Sequence, residues 1–125
     1  MPNLPDVVRK AWDHREGPII LATVDGRGTP NAIYAGAVAK YSDSILVVAD
    51  NYLDKTRRNI LNGCRGAMLF MTADKKAYQV KGRLERHTSG PIFDDMKKWN
   101  PPKHPGHAAI ALTVEEAYQG ATKLL

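Results

Sequence analysis

Apolar and polar residues alternate along much of the chain, and this pattern predicts a protein made mainly of β-strands. Residues 78–85 alternate strictly, as in a half-exposed strand, whereas residues 67–71 are apolar on both faces, as in a strand of a closed sheet. Short turns such as Asp25-Gly26-Arg27-Gly28 favour antiparallel pairing. The six predicted strands are residues 19–24, 29–41, 45–49, 67–71, 78–85 and 108–114. Six strands with one apolar face predict an antiparallel sheet that closes into a small β-barrel with flanking short helices.

Three short segments have the apolar spacing of a helix rather than of a strand. The first covers residues 5–15, with Trp12 expected in the core. The second begins after Asp54, a favoured N-cap residue, and the third is expected to be capped by Ser89. Gly82, in the middle of a predicted strand, indicates a bulge or a bend of the barrel wall.

Length and composition are those of one globular domain spanning residues 1–125. The formal charge of +5 is compatible with a phosphorylated ligand or with nucleic acid. The single cysteine, Cys64, excludes an intrachain disulfide, and we expect it to be structural. There is no signal-peptide pattern and no apolar run of membrane-spanning length, so a cytoplasmic protein without a membrane partner is expected.

The candidate chemistry is concentrated after the third predicted strand, where Lys55, Thr56, Arg57 and Arg58 fill the first turn of a helix. Cations are unfavourable there, because the N-terminal end of a helix already carries partial positive charge and unpaired N–H groups. A bound phosphate would resolve this conflict by using the N–H groups, the Thr56 hydroxyl and the cations together. Adjacent arginines point about a quarter turn apart, so only one of them is expected to face the anion.

Two other features, a strand of small residues and a pair of histidines in a loop, do not indicate a definite function. The small residues of the strand at 29–41 suit either tight sheet packing or a flat ligand lying against the backbone. His104 and His107 are three apart in a Pro/Gly-rich loop, and a solvated loop is a better interpretation than a metal site. No nucleophile motif and no Gly-rich phosphate loop occurs.

The order of these motifs resembles the pyridoxamine 5′-phosphate oxidase-like FMN-binding split barrels, above all their short single-domain members. The residues that carry the resemblance are the small-residue strand at 31–36, the helix start at 54–60, the strand around 80–83 and the closing segment 108–118. This resemblance extends over most of the chain from Gly17 onward.

The resemblance implies a six-stranded split barrel that forms a homodimer, with FMN bound at the dimer interface. It places the phosphate at Lys55 and Thr56, with Arg57 or Arg58 in support, and it places Asp50 and Asn51 along the edge of the ring. It also implies that Trp99 lies near the ring and that Leu125 approaches the flavin of the partner. The remaining residues implied to lie along the phosphate and ring are Asn31, Ala32, Ile33, Tyr34 and Ala35.

The function implied is electron or hydride transfer between a donor and an unidentified redox partner. Pyridoxamine phosphate oxidase activity itself is not expected, because no C-terminal Arg/His substrate segment follows Leu125. One alternative is a small basic barrel that binds single-stranded nucleic acid, for which Tyr34 and Tyr78 are the candidate stacking residues. This alternative is weaker, because alternation places Tyr78 on the apolar side of its strand. Another alternative is a different planar cofactor, haem or a deazaflavin.

Overall fold

The computed structural model describes residues 2–125 and contains three short helices and eight strands within that range. The helices are α1 (Asp6–Asp13), α2 (Lys55–Leu61) and α3 (Pro91–Trp99). The strands are β1 (Ile19–Val24), β2 (Pro30–Ala35), β3 (Val38–Ser42), β4 (Ile45–Asp50), β5 (Arg65–Met71), β6 (Ala77–His87), β7 (Ala108–Gln119) and β8 (Thr122–Lys123). The protein is therefore mainly β, as the alternation of its residues predicts.

All strands belong to one antiparallel sheet with the order β2-β1-β5-β6-β7-β4-β3, and β8 pairs with β7. The two ends of this order, β2 and β3, are consecutive in the sequence and are joined only by Gly36 and Ala37. Two residues span less than about 11 Å, so the two edges of the sheet must lie close together. The sheet is therefore curled into a split barrel, and its seam lies between β2 and β3.

The main core fills the inside of the curl, and α1 contributes to it from one end. Val8 and Trp12 of α1 are 0% and 2% exposed. The Trp12 ring meets Phe70 edge-on at 5.2 Å, and Phe70 stacks on Tyr78 at 5.6 Å. This row of aromatic rings connects α1 to β5 and β6, and it confirms the predicted core position of Trp12.

A second apolar layer covers the outer face of β4 and β7. Val47 and Ala49 of β4 pack there with Met96 of α3, while Leu46 and Val48 face the main core. Both faces of β4 are thus buried, which explains its continuous apolar sequence. This layer holds α3, and the segment that follows it, against the end of the barrel where β4 ends.

Two details differ from the sequence-based expectation. The predicted strand at residues 29–41 is two strands, because the chain leaves one sheet edge at Gly36 and joins the opposite edge at Val38. Together with the short β8, this raises the strand count from six to eight. Ser89 does not cap α3; the N-cap residue is Gly90, whose φ of 91° suits glycine, and Pro91 follows it.

Gly82 marks the bulge that its position predicts. The register between β6 and β7 shifts between Lys81 and Gly82, and β6 continues across the shift as one long strand. A Cβ atom at Gly82 would collide with the carbonyl oxygen of Thr113 and would lie 3.1 Å from the side chain of Leu112. The close approach of β6 to β7 at this point therefore requires glycine.

Replacing Gly82 with alanine should lower the free energy of unfolding by about 2–3 kcal/mol, since a backbone oxygen, unlike a side chain, cannot rotate away. Urea denaturation followed by circular dichroism measures the loss. Gly26→Ala is the matched control, because a Cβ there meets nothing within 4 Å. Equal stability of the two variants would contradict the close approach.

Candidate functional site

A pocket of about 740 Å³ opens at the seam of the barrel, where β2 and β3 meet. Its walls include apolar side chains from three strands, and Gly36 and Ala37 at the seam also line it. The apolar lining residues include Ile33, Ala35, Val38, Val48, Ala49 and Leu53. The volume lies within the range of about 300–1,000 Å³ that is usual for small-molecule and cofactor sites.

Polar groups are gathered where β2 meets the start of α2. The Asn31 amide nitrogen donates a hydrogen bond to Thr56 Oγ1 at 3.0 Å and lies 3.4 Å from Thr23 Oγ1. Thr56 is only 1% exposed, and because its hydroxyl accepts from Asn31, its own proton is left to donate. Lys55, next to it, is exposed and has no ion-pair partner among residues 2–125. This arrangement provides an unpaired cation beside a fixed hydroxyl.

The side chain of Asp50 lies below this region and is fully buried. Arg57 donates two hydrogen bonds to it, from Nε to Oδ2 and from Nη2 to Oδ1, each at 2.8 Å. Arg86 approaches Oδ2 at 3.4 Å, and the Leu53 N–H donates to Oδ1 at 3.3 Å. One carboxylate therefore joins the end of β4 to α2 and β6.

The electrostatics of Asp50 follow from these contacts. Burial alone would raise the pKa of Asp50, but the hydrogen bonds and positive charge of Arg57, with help from Arg86, outweigh burial and hold the pKa below its ordinary value. The bond to Asp50 likewise raises the pKa of Arg57. The carboxylate is thus ionised and compensated by two cations.

Asn51 fixes the segment between α3 and β7 against the pocket. Its side chain exchanges two hydrogen bonds with Asn100, at 3.0 and 2.9 Å, and its Oδ1 also accepts the N–H of Gly106 at 2.9 Å. The N–H of His107 donates to the carbonyl oxygen of Asp50 at 2.9 Å. Asn51 and Asn100 are both buried, so these bonds are well protected from water.

Aromatic groups around the pocket come from β2, from the loop before α2, from the end of α3 and from the segment that follows it. Tyr52 Oη lies 3.1 Å from His104 Nδ1, and the two rings meet edge-on. Trp99 is half-buried against the outer apolar layer and also lines the pocket, and its Nε1 donates to Asp95 at 3.3 Å. Tyr34 lines the pocket and is 74% exposed.

The structure brings together eight of the twelve residues that the sequence suggests for a cofactor site. Those that line the pocket are Asn31, Ile33, Tyr34, Ala35, Asn51, Lys55, Thr56 and Trp99. Ala32, Asp50, Arg57 and Leu125 do not line it. The side chains of Asp50 and Arg57 are bound to each other, so Arg57 is not free for a phosphate in the way that its position suggests. Leu125 forms main-chain hydrogen bonds with Ala117 instead.

Other lining residues are absent from the sequence-based set. Val38 and Val48 are far from the motif, and only the sheet order brings them to the pocket. The sequence around His104 suggests a solvated loop or, less well, a metal site, and the position of His104 beside Tyr52 depends on the fold of the segment after α3. No cluster of metal-binding side chains occurs among residues 2–125. Tyr78, a candidate for stacking on nucleic acid bases, is only 4% exposed.

The curled eight-stranded sheet, with a pocket at its seam, defines a small split β-barrel. A family model described as "Pyridoxamine 5'-phosphate oxidase" matches residues 5–120, and the chain belongs to this family. In addition, no helix in residues 2–125 has the length and apolar character needed to cross a membrane.

One curated protein and several solved structures are also similar to this chain. The uncharacterized protein MJ0282 of Methanocaldococcus jannaschii is 29% identical over 105 residues, which cover 80% of this chain and 70% of that protein. HupZ of Group A Streptococcus superposes with a TM-score of 0.80 at 23% identity, covering 93% of each chain. An FMN-binding protein of Syntrophomonas wolfei superposes with a TM-score of 0.76 at 21% identity, covering 89% of this chain and 82% of that one.

Replacing Asp50 with asparagine should lower the free energy of unfolding by about 2–3 kcal/mol, because Arg57 and Arg86 would lose their charge partner. Both arginines keep some contact with water, with side chains 32% and 21% exposed. The loss of stability should therefore be smaller than it would be if the arginines were fully buried. Urea denaturation at pH 7 measures it. Asp13→Asn, at an exposed position of α1, should change the stability little. A loss no greater than in this control would contradict the role of Asp50.

The stability contributed by ionised Asp50 should also depend on pH. Because the pKa of Asp50 is lower in the folded protein than in the unfolded chain, this contribution is complete above the unfolded value of about 4 and is lost as the pH falls through the folded pKa. Unfolding free energies measured from pH 7 down to pH 2 should therefore fall more steeply in the wild type than in Asp50→Asn. Parallel curves would show that other carboxylates cause the acid sensitivity.

Proposed function

We propose that this protein binds FMN in the seam pocket and transfers electrons or hydride through it to an unidentified acceptor. The observation that carries the proposal is the Lys55 cation, which has no ion-pair partner among residues 2–125, beside the Thr56 hydroxyl at the edge of a largely apolar pocket in a protein of this family. We do not propose pyridoxamine phosphate oxidase activity. Family membership and an FMN-binding protein of the same fold support flavin as the cofactor class.

The pocket fits the two chemically different parts of FMN. Lys55, the Thr56 hydroxyl and the first N–H groups of α2 are donors suited to a phosphate. The small and branched residues Ala35, Val38 and Val48 offer an apolar surface to a flat ring system. The volume of about 740 Å³ is that of a cofactor site rather than of a site for a simple anion.

The bound flavin would supply the redox chemistry, while the protein supplies anchoring, orientation and local charge. Asn31 fixes the Thr56 hydroxyl, and Asn51 fixes the segment that carries His104. Asp50 contributes less negative charge to the pocket than its sequence position suggests, because its carboxylate is compensated by Arg57 and Arg86. We assign no side chain the role of acid or base.

We further propose that the protein forms a homodimer with the flavin at the interface. An apolar patch on the outer face of β1, β2 and β5 supports this, because Ile20 lies opposite both Tyr34 and Leu69 in the sheet. Leu69 and Met71 are 37% and 46% exposed, and Tyr34 also lines the pocket. A second copy on this patch would cover apolar surface and reach the pocket. The approach of Leu125 to the partner's flavin stays part of this proposal.

The purified protein should show the absorption bands of flavin and release FMN on denaturation. Lys55→Glu should weaken FMN binding at least about 30-fold, because it removes one charge-assisted hydrogen bond and adds repulsion. Fluorescence quenching of added FMN measures the affinity. Protein that is colourless and cannot be reconstituted with FMN would overturn the proposal, and haem or a deazaflavin would be recognised by its own spectrum.

Lys10→Glu provides the matched control, since it makes the same change of charge at an exposed residue of α1 that does not line the pocket. It should leave the FMN affinity within about twofold of the wild type, because distant surface charges are screened by salt. If both variants weaken binding equally, net charge and not a specific site governs the affinity.

Leu69→Glu should convert the dimer to a monomer, because it buries a charge in the proposed apolar interface. Size-exclusion chromatography with light scattering gives the mass in solution. Leu61→Glu makes the same substitution at an exposed leucine of α2, outside the patch, and should remain dimeric. A monomeric wild-type protein would refute the dimer and the interfacial position of the flavin, whereas FMN binding by the seam pocket is tested separately by the titration.

A further inference from the structure

One wall of the seam pocket carries two polar side chains to which the proposed flavin site assigns no contact. Tyr52, in the loop between β4 and α2, and His104, in the segment between α3 and β7, both line the pocket. Tyr52 Oη lies 3.1 Å from His104 Nδ1, and the ring centroids are 5.5 Å apart. We call these two residues the Tyr–His pair. Tyr52 is 71% exposed, so this wall of the pocket is open to solvent.

The Tyr–His pair has one hydrogen-bond donor to spare, whichever tautomer the imidazole adopts. In its neutral form the pair holds two polar hydrogens, the Tyr52 hydroxyl proton and one imidazole N–H, and the bond between the two side chains uses one of them. If Tyr52 donates to Nδ1, the N–H at Nε2 of His104 is left; if Nδ1 donates, the Tyr52 O–H is left. Neither side chain has another hydrogen-bond partner among residues 2–125. The pair therefore presents one uncharged donor at the pocket wall.

Main-chain contacts on both sides of His104 hold the pair in place. The His104 N–H donates to the carbonyl oxygen of Pro101 at 3.0 Å. Lys97 of α3 donates from Nζ to the carbonyl oxygens of Pro105 and Gly106, at 3.0 and 3.3 Å. The two prolines restrict the backbone further, because their rings fix φ. The donor thus lies on a rigid segment, and little conformational freedom is lost when a ligand binds to it.

The surroundings of the pair favour a neutral, planar ligand. In the described range 2–125, the charged residues that line the pocket, apart from His104, are Asp54 and Lys55 at the start of α2. Because Lys55 is the group proposed for the flavin phosphate, no further cation is available for a second anion, which would lose its hydration without gaining a charge partner. Trp99 offers an aromatic surface beside the pair, and its Nε1 donates to Asp95 at 3.3 Å.

From these groups we propose that the Tyr–His pair binds the electron acceptor of the flavin, and that this acceptor is a neutral, planar carbonyl compound of the quinone class. A carbonyl oxygen accepts the spare hydrogen bond of the pair, and the flat ring packs against the aromatic and apolar wall. This inference rests on the proposed flavin function and deepens it by naming the class of acceptor. The pair is assigned a binding role, not the role of an acid.

The electron transfer balances with the reduced flavin and solvent alone. A quinone gains a hydride from the reduced flavin and a proton from solvent, which gives the hydroquinone and leaves the flavin oxidised. Negative charge develops on the carbonyl oxygen as the electrons arrive, so a donor fixed at that oxygen favours the transfer.

Equilibrium dialysis of the FMN-loaded, oxidised protein against duroquinone tests the proposal without turnover. Duroquinone, the tetramethylated benzoquinone, is neutral and planar, and its fully substituted ring does not add to the thiol of Cys64. Each single variant would retain a donor, so both residues of the pair must be changed. Tyr52→Phe/His104→Phe keeps an aromatic ring at both positions, and its affinity for duroquinone should fall about fivefold. Its affinity for FMN should stay within about twofold of the wild type.

Tyr41→Phe/His14→Phe is the matched control, because it makes the same two changes at exposed residues that do not line the pocket. It should bind duroquinone as tightly as the wild type does. Tetramethylbenzoate, an anion with a similarly methylated ring, should bind to the wild type more weakly than duroquinone, since Lys55 is occupied by the phosphate.

The acceptor proposal would be overturned, and the FMN proposal left standing, by FMN-loaded wild type that does not bind duroquinone. The same holds if the double variant binds duroquinone as tightly as the wild type, or if tetramethylbenzoate binds as tightly as duroquinone. A double variant that loses its affinity for FMN would show that the pair belongs to the flavin site instead. Failure of the protein to take up FMN would refute both proposals.

Discussion

The buried carboxylate of Asp50 is the interaction on which the geometry of the site depends. It lies at the end of β4, and its hydrogen bonds to Arg57 and Arg86 join that strand to α2 and to β6. Its carbonyl oxygen also accepts from His107, so the segment after α3 is attached to the same residue. A charge in such a place is tolerated only when it is compensated and hydrogen-bonded, and here both conditions are met. The positions of Lys55 and His104 follow from it.

The cations at the start of α2 have three different roles, although the sequence presents them as one cluster. Arg57 compensates Asp50, and Arg58 forms a weak exposed pair with Asp54. Lys55 has no partner in residues 2–125 and faces the seam pocket. The buried carboxylate of Asp50 thus requires one of the cations that are unfavourable at the start of the helix, namely Arg57. Only the other positive charges there indicate a ligand.

Local patterns were sufficient to predict most of the secondary structure and part of the site. The bulge at Gly82 and the core position of Trp12 are confirmed, because each depends on a residue type and its immediate neighbours. The break at Gly36 was missed because no breaker other than a single glycine marks a crossing between sheet edges. Val48 and His104 were missed for a similar reason: only the order of strands and the attachment of a loop bring them to the pocket. The sequence does not show that Asp50 and Arg57 bind each other rather than a ligand, since an internal ion pair and a ligand site use the same residue types.

The seam between β2 and β3 gives the pocket a mechanical property. These two strands are the free edges of the sheet, each paired on one side only, and edge elements open at lower free energy than central strands. A ligand at the seam contacts both edges at once, although Gly36 and Ala37 alone connect them covalently. Any free energy of binding therefore increases the stability of the closed barrel, and this stabilisation is lost when the two edges separate. A bound ligand would hold the two edges of the sheet together. Ligand binding and the rigidity of the barrel are therefore coupled by the topology of the sheet.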